Sequence, residues 1–197
     1  MKSNILSQYR KHEGKRVFQG DLLTNAEFYI FDFNTKSLQL IEFPYLVVLS
    51  QDCDLEQDFL KHEDLSNSKD GLSEDKLRSI YDKILPSILV SECFPAENFR
   101  LGEHIKNQGF LMINQGKESK TPWKRIIQNE TPRYHYLQGA SDFEIPNLVI
   151  DFKRYYTIPR DYFYSVHSDS CSISLNEIYR EKLSQRFSFY LSRIGLP

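Results

Sequence analysis

The sequence predicts a β-rich α+β fold with a polar insertion and a packed C-terminal helix. The chain contains 14 Phe and 12 Tyr against a single Trp, and aromatic side chains suit the pleated surface of a sheet. Short β-prone runs bounded by turn residues fill much of the first half. A long helical repeat of apolar residues lies near the C-terminus.

Length and charge suit a single domain. The chain has 197 residues and a net charge of −2, which predicts a short basic arm over 1–18 and one domain over 19–197. This charge gives no overall nucleic-acid signature, so binding of RNA or DNA would need a local basic patch.

Cysteine usage and hydropathy predict a cytoplasmic protein with no membrane contact. Cys53, Cys93 and Cys171 lie far apart without a CxxC pair, which favours reduced thiols. The N-terminal residues lack the apolar segment of a signal peptide. No window reaches the ~18 apolar residues of a membrane span.

The first predicted elements are a hairpin and a buried strand. Phe28–Phe33 and Leu38–Ile41 flank the turn Asn34–Ser37, an arrangement typical of a hairpin. Pro44 leads into an apolar strand at 45–50. Because that strand carries apolar residues at consecutive positions, we expect burial on both faces and a place in the middle of the sheet.

The next stretch predicts an insertion and a second buried strand. Residues 56–75 are mostly polar and predict a mobile surface insertion or a short helix with a loop. Residues 75–85 have helical spacing, and Pro86 ends that helix. Ile88–Val90 predicts a buried strand that ends at Ser91.

The second half predicts an antiparallel pair and a C-terminal helix. Short helices are expected at 102–107 and 123–128, and strands at Tyr134–Leu137 and 148–152. Ser174-Leu175-Asn176-Glu177 has the form of a capping box. The expected buried stripe of the helix comprises Leu175, Ile178, Tyr179, Leu183, Phe187, Leu191 and Ile194. Gly195 and Pro197 end the helix.

The first candidate site follows the strand at 45–50. Ser50, Asp52, Cys53 and Asp54 could act as a base-plus-nucleophile set or as metal ligands, with Gln51 as a further binding residue. The two carboxylates would raise the pKa of the thiol. The alternative is a solvated turn in which Asp52 and Asp54 bond to their own backbone.

A metal site at this position would need further ligands from elsewhere in the chain. The candidates are His62, Cys93 and His135, and their spacing matches no zinc pattern. We therefore predict no metal and no cofactor.

A second candidate site combines cations with aromatic residues. In a strand, Arg133 and His135 share one face and could contact phosphate and transfer a proton, while Tyr134 and Tyr136 share the other. The alternative is that both tyrosines are core residues and His135 bonds at the rim.

A third group of basic residues lies in the run from Asp151 to Tyr156. Lys153 and Arg154, with Lys124, Arg125 and the basic arm, could form a nucleic-acid patch. The alternative is an ordinary solvated surface. If a functional pocket exists, we expect it to gather Ser50, Asp52, Cys53 and Asp54 with Arg133 or His135.

Three short motifs mark the first half of the chain, namely Gly20-Asp21-Leu22, Pro44 to Ser50 and Ile88 to Val90. In these motifs residues 19–95 resemble the MazF/PemK family of toxin-like small barrels. It implies an SH3-like barrel over about 19–95, elaborated by the C-terminal helix and the rest of 96–197.

Members of the family cleave single-stranded RNA with an Arg before the Pro and a Thr after the later strand. Phe43 stands at the Arg position, and Ser91 to Pro95 contains no Thr. Metal-free phosphodiester cleavage needs a cation near the developing charge and a proton-transfer group. We therefore expect a bacterial toxin-like or nucleic-acid-associated module without the usual ribonuclease mechanism. The alternative is a non-catalytic protein-interaction subunit, and the oligomeric state stays open.

Overall fold

A computed structural model of the protein describes residues 7–68, 71–116 and 120–193. The strands are β1 (Tyr9–Lys11), β2 (Asp21–Asp32), β3 (Ser37–Val48), β4 (Ser87–Pro95), β5 (Tyr134–Leu137), β6 (Leu148–Pro159) and β7 (Cys171–Leu175). The helices are α1 (Asp52–Asn67), α2 (Glu74–Tyr81), α3 (Ala96–Leu101), α4 (Lys120–Ile127), α5 (Arg160–Ser170) and α6 (Glu177–Leu191).

The seven strands form one antiparallel sheet in the order β1-β7-β2-β3-β4-β6-β5. The predicted α+β class is confirmed. Helices account for 38% and strands for 33% of the structure, so the fold is mixed and not β-rich as predicted. The difference arises because the polar insertion folds into helices and because α5 has no clear signal in the sequence.

The sheet is open, and its two edges approach one another. Within the described ranges, no backbone pairing joins the edge strands β1 and β5. The backbone N–H of Gln138, just after β5, donates to Oε1 of Gln8, just before β1, at 3.2 Å. A side-chain bond therefore spans the gap that a further backbone ladder would close in a barrel.

Strand β3 lies in the middle of the sheet, between β2 and β4, as predicted. Leu46, Val47 and Val48 are fully buried. Val47 belongs to the apolar cluster on one side of the sheet, and its two neighbours belong to the cluster on the other. Burial on both faces is therefore confirmed.

The predicted hairpin is present, with longer strands than expected. Phe31 pairs with Leu38 beside the turn, where Asp32 accepts a bond from the Asn34 N–H at 2.8 Å. Pro44 does not separate two strands, since β3 runs through it. The ladder omits Asn25 and Pro44 between two regular pairs, and Asn25 has a φ of +50°. This local irregularity accommodates a residue that has no N–H.

The polar insertion is helical. Residues 52–67 form α1, and α2 follows a side-chain cap from Ser73. Helix α2 ends at Tyr81, before the predicted end at 85, and Ile80 is its buried residue. Strand β4 continues beyond the predicted end at Ser91 as far as Pro95, because Ser91 and Glu92 are buried with polar partners.

The predicted antiparallel pair is confirmed as β5 and β6. Helix α4 overlaps the helix predicted at 123–128. The helix expected at 102–107 is not formed. Helix α3 ends before it at Leu101, and a short 3₁₀ turn follows at Lys106–Gln108. Strand β1 lies within the predicted basic arm and pairs with β7. Lys2 of that arm lies outside the described residues.

The C-terminal helix is confirmed, but its predicted capping box is wrong. Ser174 belongs to β7, and its hydroxyl donates to Asp21. Asn176 is the N-cap and makes no side-chain capping bond. Leu183 and Phe187 are buried, whereas Ile178 and Leu191 are 51% and 54% exposed. Ile194, Gly195 and Pro197 lie outside the described residues.

Among the described residues, three apolar clusters cover the sheet. One face packs against α6 through Leu183 and Phe187. The other packs against α1 and α5 through Leu55 and Phe163. A smaller cluster places α3 and α4 against the β5–β6 end of the sheet. The candidate functional residues lie in loops and at helix ends beside these apolar clusters.

Candidate functional site

The first predicted site lies at the junction of β3 and α1. The Ser50 hydroxyl accepts a bond from the Leu89 N–H at 2.8 Å, so this side chain holds two strands together. Gln51 is the exposed N-cap of α1. Asp52 and Asp54 occupy the first helical turn instead of a solvated loop, where carboxylates are stabilised by the helix dipole.

Asp52 is the member of this group with cationic partners. Its Oδ2 lies 3.0 Å from Arg16 Nη2 and 3.2 Å from Arg180 Nη1. Its Oδ1 accepts a bond from the Gln19 N–H at 3.3 Å. Asp52 thereby connects the N-terminal segment, α1 and α6.

Cys53 is exposed. Its Sγ lies 3.7 Å from both Gln51 Oε1 and Asp54 Oδ1. Both partners are hydrogen-bond acceptors, and a thiol needs an adjacent cation or base to become a nucleophile. Among the contacts described for Cys53, Asp54 supplies a carboxylate but no cation is present to stabilise a thiolate.

Arg133 has a different acidic partner. Its Nε and Nη2 donate to the two carboxylate oxygens of Asp151 at 2.7 Å and 2.6 Å, and its guanidinium lies 4.9 Å from the centre of the Tyr134 ring. Asp151 also accepts a bond from the Lys153 N–H at 3.1 Å. The bidentate geometry fixes the guanidinium in one orientation.

Arg154 is held in a similar way. Its Nε donates to Glu92 Oε2 at 2.7 Å, and its Nη2 donates to Glu92 Oε1 at 3.1 Å and to Gln108 Oε1 at 2.7 Å. The Tyr156 hydroxyl also donates to Glu92. Burial and this bond raise the pKa of Tyr156, so its hydroxyl stays protonated.

Arg133, Lys153 and Arg154 line one cavity of about 290 Å³, which we call the basic pocket. Asp151, His104 and Phe110 complete its polar and aromatic lining. His104 contacts the rings of Phe94 and Phe99. Burial lowers the pKa of His104 to about 4, so the imidazole is neutral at pH 7. The structure thus brings together three of the predicted cations.

His135 lies at another cavity. It is buried, packs against Phe152 and lines a cavity of about 510 Å³ with Tyr136 and Lys182. Burial lowers the pKa of His135 to about 3, with further lowering by Arg186 and Lys182. Arg133 precedes β5 and bonds to Asp151 opposite Tyr134, so it does not share a side of the sheet with His135 as predicted.

The predicted convergence of the two groups is absent from the described contacts. The ion pairs of Asp52 are with Arg16 and Arg180, whereas that of Arg133 is with Asp151. Neither the basic pocket nor the His135 cavity is lined by any residue from 50–54. The strand-end acids and the pocket cations are therefore separate features.

A cluster around Asp21 was missed by the sequence prediction. Asp21 is fully buried, and its carboxylate lies 3.1 Å from His12 Nδ1 and 2.8 Å from His167 Nε2. It also accepts bonds from the Phe18 N–H at 2.8 Å and from the Ser174 hydroxyl. We call His12, Asp21, His167 and Cys171 the Asp21 cluster.

Hydrogen bonds in this cluster stabilise the charged form of Asp21. Burial would raise the pKa of Asp21, but the bonds from His12 and His167 outweigh it and lower that pKa. The bond to Asp21 raises the pKa of His12. Burial raises the pKa of the Cys171 thiol. His12, His167 and Cys171 line a cavity of about 500 Å³.

The sequence carries little signal for this cluster. In the sequence Asp21 is only part of the Gly20-Asp21-Leu22 motif, and α5 and β7, which supply His167 and Cys171, were not predicted. One clue was available, because Asp21 directly precedes the apolar run Leu22-Leu23, and an acid in a buried strand needs partners.

The distal part of the β2–β3 hairpin exposes apolar side chains. Tyr29 pairs with Leu40 and Phe31 pairs with Leu38, and cross-strand partners share a face of the hairpin. All four side chains are exposed, and Phe33 at the turn is 83% exposed. We call residues 27–42 the distal hairpin. Its strands pair only with each other among the described residues.

Comparisons with models of known protein families and with curated proteins give no match to this chain. In the ranges that the structure describes, no helix has both the length and the apolar character needed to cross a bilayer.

Proposed function

We propose that the protein is a toxin-like, nucleic-acid-associated module that binds single-stranded RNA at the basic pocket without the usual ribonuclease mechanism of the MazF/PemK family. The observation that carries this proposal is the grouping of Arg133, Lys153 and Arg154 around one cavity beside the exposed ring of Phe110.

The charge of the pocket suits a phosphate. Three cations face two carboxylates, Asp151 and Glu92, and His104 is neutral, so one positive charge is in excess. The bonds described for Arg133 use Nε and Nη2, and its Nη1 carries two further donors. Because Asp151 and Glu92 orient the guanidinium groups, less side-chain entropy is lost on contact with phosphate.

The pocket also offers an aromatic surface. Phe110 lines the cavity and is exposed, and unpaired bases stack on such rings with little sequence preference. A single strand has both a free base face and an accessible phosphate backbone. This combination favours single-stranded RNA over a duplex as the ligand.

The approach of the sheet edges supports the barrel part of the proposal. The bond between Gln138 and Gln8 joins the segments beside the two edge strands, and Leu22, Val47 and Ile150 from β2, β3 and β6 share one apolar cluster. We infer an SH3-like barrel that extends beyond the predicted 19–95, because its edge strands are β1 and β5, and that is completed at this edge by side chains instead of a backbone ladder.

The residue at the family's Arg position supports the absence of the usual mechanism. Phe43 is buried and packs against the rings of Phe28 and Tyr156. A buried aromatic ring can neither contact phosphate nor transfer a proton. Glu92, on the later strand, is paired with Arg154.

The test is a titration of fluorescently labelled single-stranded RNA at several salt concentrations. We expect the logarithm of affinity to fall linearly with the logarithm of salt concentration, and the RNA to remain uncleaved. Lys153→Glu should weaken binding about tenfold and reduce the salt slope by about 1. The matched control is Lys61→Glu, because Lys61 lies on α1 in a pair with Asp64. Absence of binding, or equal losses in both variants, would refute RNA binding at this pocket.

The distal hairpin favours a second candidate function, that of a protein-interaction subunit. On the β2 edge the Tyr29 N–H already donates to the Tyr162 hydroxyl at 2.6 Å, so the β3 edge is the one offered to a partner. This edge and the apolar side chains suit an extended apolar strand of a partner protein, which would pair with the backbone and cover Phe31 and Leu38. A partner recovered by affinity purification should be lost in the Phe31→Ser, Leu38→Ser double variant. It should be retained in Leu60→Ser, since Leu60 is exposed on α1. Retention by both variants would exclude the hairpin as the binding surface.

A further inference from the structure

The Asp21 cluster gathers four potential metal ligands from distant parts of the chain. His12 follows β1, Asp21 begins β2, His167 lies in the last turn of α5 and Cys171 begins β7. One ligand atom from each residue can be chosen so that all four lie within 4.8 Å of one another. The fold, and not the sequence spacing, creates this arrangement.

The donor set is that of a zinc site. Two imidazole nitrogens, a thiolate and a carboxylate are all zinc ligands, and bond lengths of about 2.0–2.3 Å in a tetrahedron place ligand atoms roughly 3.3–3.8 Å apart. The atoms of His12 and His167 lie 3.1 Å and 2.8 Å from Asp21. These two contacts are to different carboxylate oxygens, and separations in the cluster extend to at most 4.8 Å, so side-chain shifts of about 1 Å would bring the four ligand atoms to tetrahedral spacing. We propose that His12, Asp21, His167 and Cys171 bind one divalent metal ion of the zinc class.

The charge of the site suits its burial. Asp21 and a Cys171 thiolate together neutralise a divalent ion, so the loaded site carries no net charge when both imidazoles are neutral. On binding, the thiol proton and any imidazole proton leave to solvent. Buried charge that is neutralised in this way avoids most of the desolvation penalty.

Groups around the cluster already orient two of the ligands. His12 Nε2 lies 3.2 Å from the carbonyl oxygen of Gly14, and a proton on Nε2 leaves the Nδ1 lone pair directed toward Asp21. The Phe18 N–H and the Ser174 hydroxyl hold the Asp21 carboxylate. Outer hydrogen bonds of this kind fix the tautomer and orientation of metal ligands.

The site is open to an incoming ion. The cavity of about 500 Å³ is lined by His12, His167 and Cys171 together with Lys15 and Ser168. Because the protein supplies four ligands, the ion has a structural role. It would attach the segment between β1 and β2 to α5 and β7.

Cys171 distinguishes a metal site from a cluster held by hydrogen bonds alone. Asp21 is satisfied by His12, His167 and its other donors without any contribution from the thiol. The bond described for Cys171 Sγ is to the Ile173 carbonyl oxygen at 3.5 Å. A metal recruits the thiolate, whereas a hydrogen-bonded cluster leaves the thiol unchanged.

The test is a titration of the full chain, purified without a polyhistidine tag and stripped by a chelator, with Co²⁺ alone. We expect one equivalent to bind, with the near-ultraviolet absorption of thiolate-to-metal charge transfer, and Zn²⁺ to displace it. Zn²⁺ should also raise the melting temperature. Cys171→Ser should remove the charge-transfer band, and the matched Cys53→Ser control should retain it, since Cys53 is exposed on α1.

A second variant tests the role of Cys171 even if Cys171→Ser does not fold. The Cys53→Ser, Cys93→Ala double variant leaves Cys171 as the sole thiol of a chain with three cysteines, and circular dichroism checks its fold. A charge-transfer band in that protein supports the proposal. Failure of the unmodified chain to bind Co²⁺ stoichiometrically overturns it, as does binding without a thiolate band or a band that survives Cys171→Ser in a folded protein.

Discussion

Arg133 and Asp151 form a bidentate ion pair in which the acid is buried and the cation reaches the surface. Asp151 is 1% exposed, whereas the Arg133 side chain is 28% exposed and lines the basic pocket. Asp151 therefore depends on Arg133 for its charge compensation, while Arg133 retains an exposed side toward the cavity.

Removal of Arg133 should destabilise the fold. Arg133→Ala leaves a buried carboxylate without its cation, and breaking such a pair costs about 3 kcal/mol. Urea denaturation of the purified variant measures this loss. The matched control is Arg125→Ala, because Arg125 and Glu130 are both more than half exposed and 3.7 Å apart. That change should cost less than about 1 kcal/mol. Equal stabilities of the two variants would show that Asp151 does not need Arg133.

The two acids at the start of α1 should differ in their effect on stability. Asp52→Asn weakens the contacts with Arg16 and Arg180, and we expect a cost of about 1 kcal/mol. Asp54→Asn is the matched control, since Asp54 lies in the same helical turn and its described contact is with the Cys53 thiol. Thermal melting of both variants measures the difference. A larger loss in Asp54→Asn than in Asp52→Asn would contradict this account of the turn.

Local patterns in the sequence predicted the elements whose signals are contained in a few neighbouring residues. The run Leu46-Val47-Val48 predicted a central strand because consecutive apolar residues require burial on both faces. The hairpin and the β5–β6 pair followed from turn residues and alternation. In each case the residues whose pattern predicts the element also make the contacts that stabilise it.

Contacts between distant residues were not predictable in this way. Ser174 has the sequence context of a helix cap, yet its hydroxyl bonds to Asp21, which is 153 positions away. The sequence showed no period for the segment that forms α5 and β7, so His167 and Cys171 had no predicted neighbours. The Asp21 cluster therefore depends on the pairing of β7 with β2, which no local pattern predicts.

Gly102 should be the glycine in the 102–113 segment least tolerant of substitution. Its φ is +76°, and a Cβ atom there would lie 2.2 Å from the Met112 carbonyl oxygen. Gly102→Ala should therefore displace Met112, a residue that lines the basic pocket, and weaken binding at that pocket. Backbone strain at positive φ alone costs about 1–2 kcal/mol, and the clash adds to it.

Gly109→Ala separates strain from the clash at Gly102. Gly109 has a φ of +85°, but a Cβ atom there meets no heavy atom within 4 Å. Denaturant midpoints of the two variants give the comparison, and Gly102→Ala should be the less stable by at least about 1 kcal/mol. Similar midpoints would mean that the backbone around Met112 moves away from the added Cβ atom without a loss of stability.

His135 should make the stability depend on pH in the acidic range. Burial, with help from Arg186 and Lys182, lowers its pKa from 6.5 to about 3. Between these values the unfolded chain binds a proton at this imidazole and the folded chain does not. The free energy of unfolding therefore falls as the pH decreases from about 6.5 toward 3, by up to about 1.4 kcal/mol per pH unit from this group.

His135→Leu removes that titration and keeps an apolar side chain against Phe152. We expect the free energy of unfolding of the variant, measured by urea denaturation from pH 7 to pH 4, to fall less steeply with decreasing pH than that of the unmodified protein. The difference between the two curves should be largest at the acidic end, because the unfolded imidazole is then fully protonated. Parallel curves across this range would show that His135 already accepts a proton in the folded protein. Burial of His135 beside Arg186 and Lys182 would then be insufficient to keep its imidazole neutral.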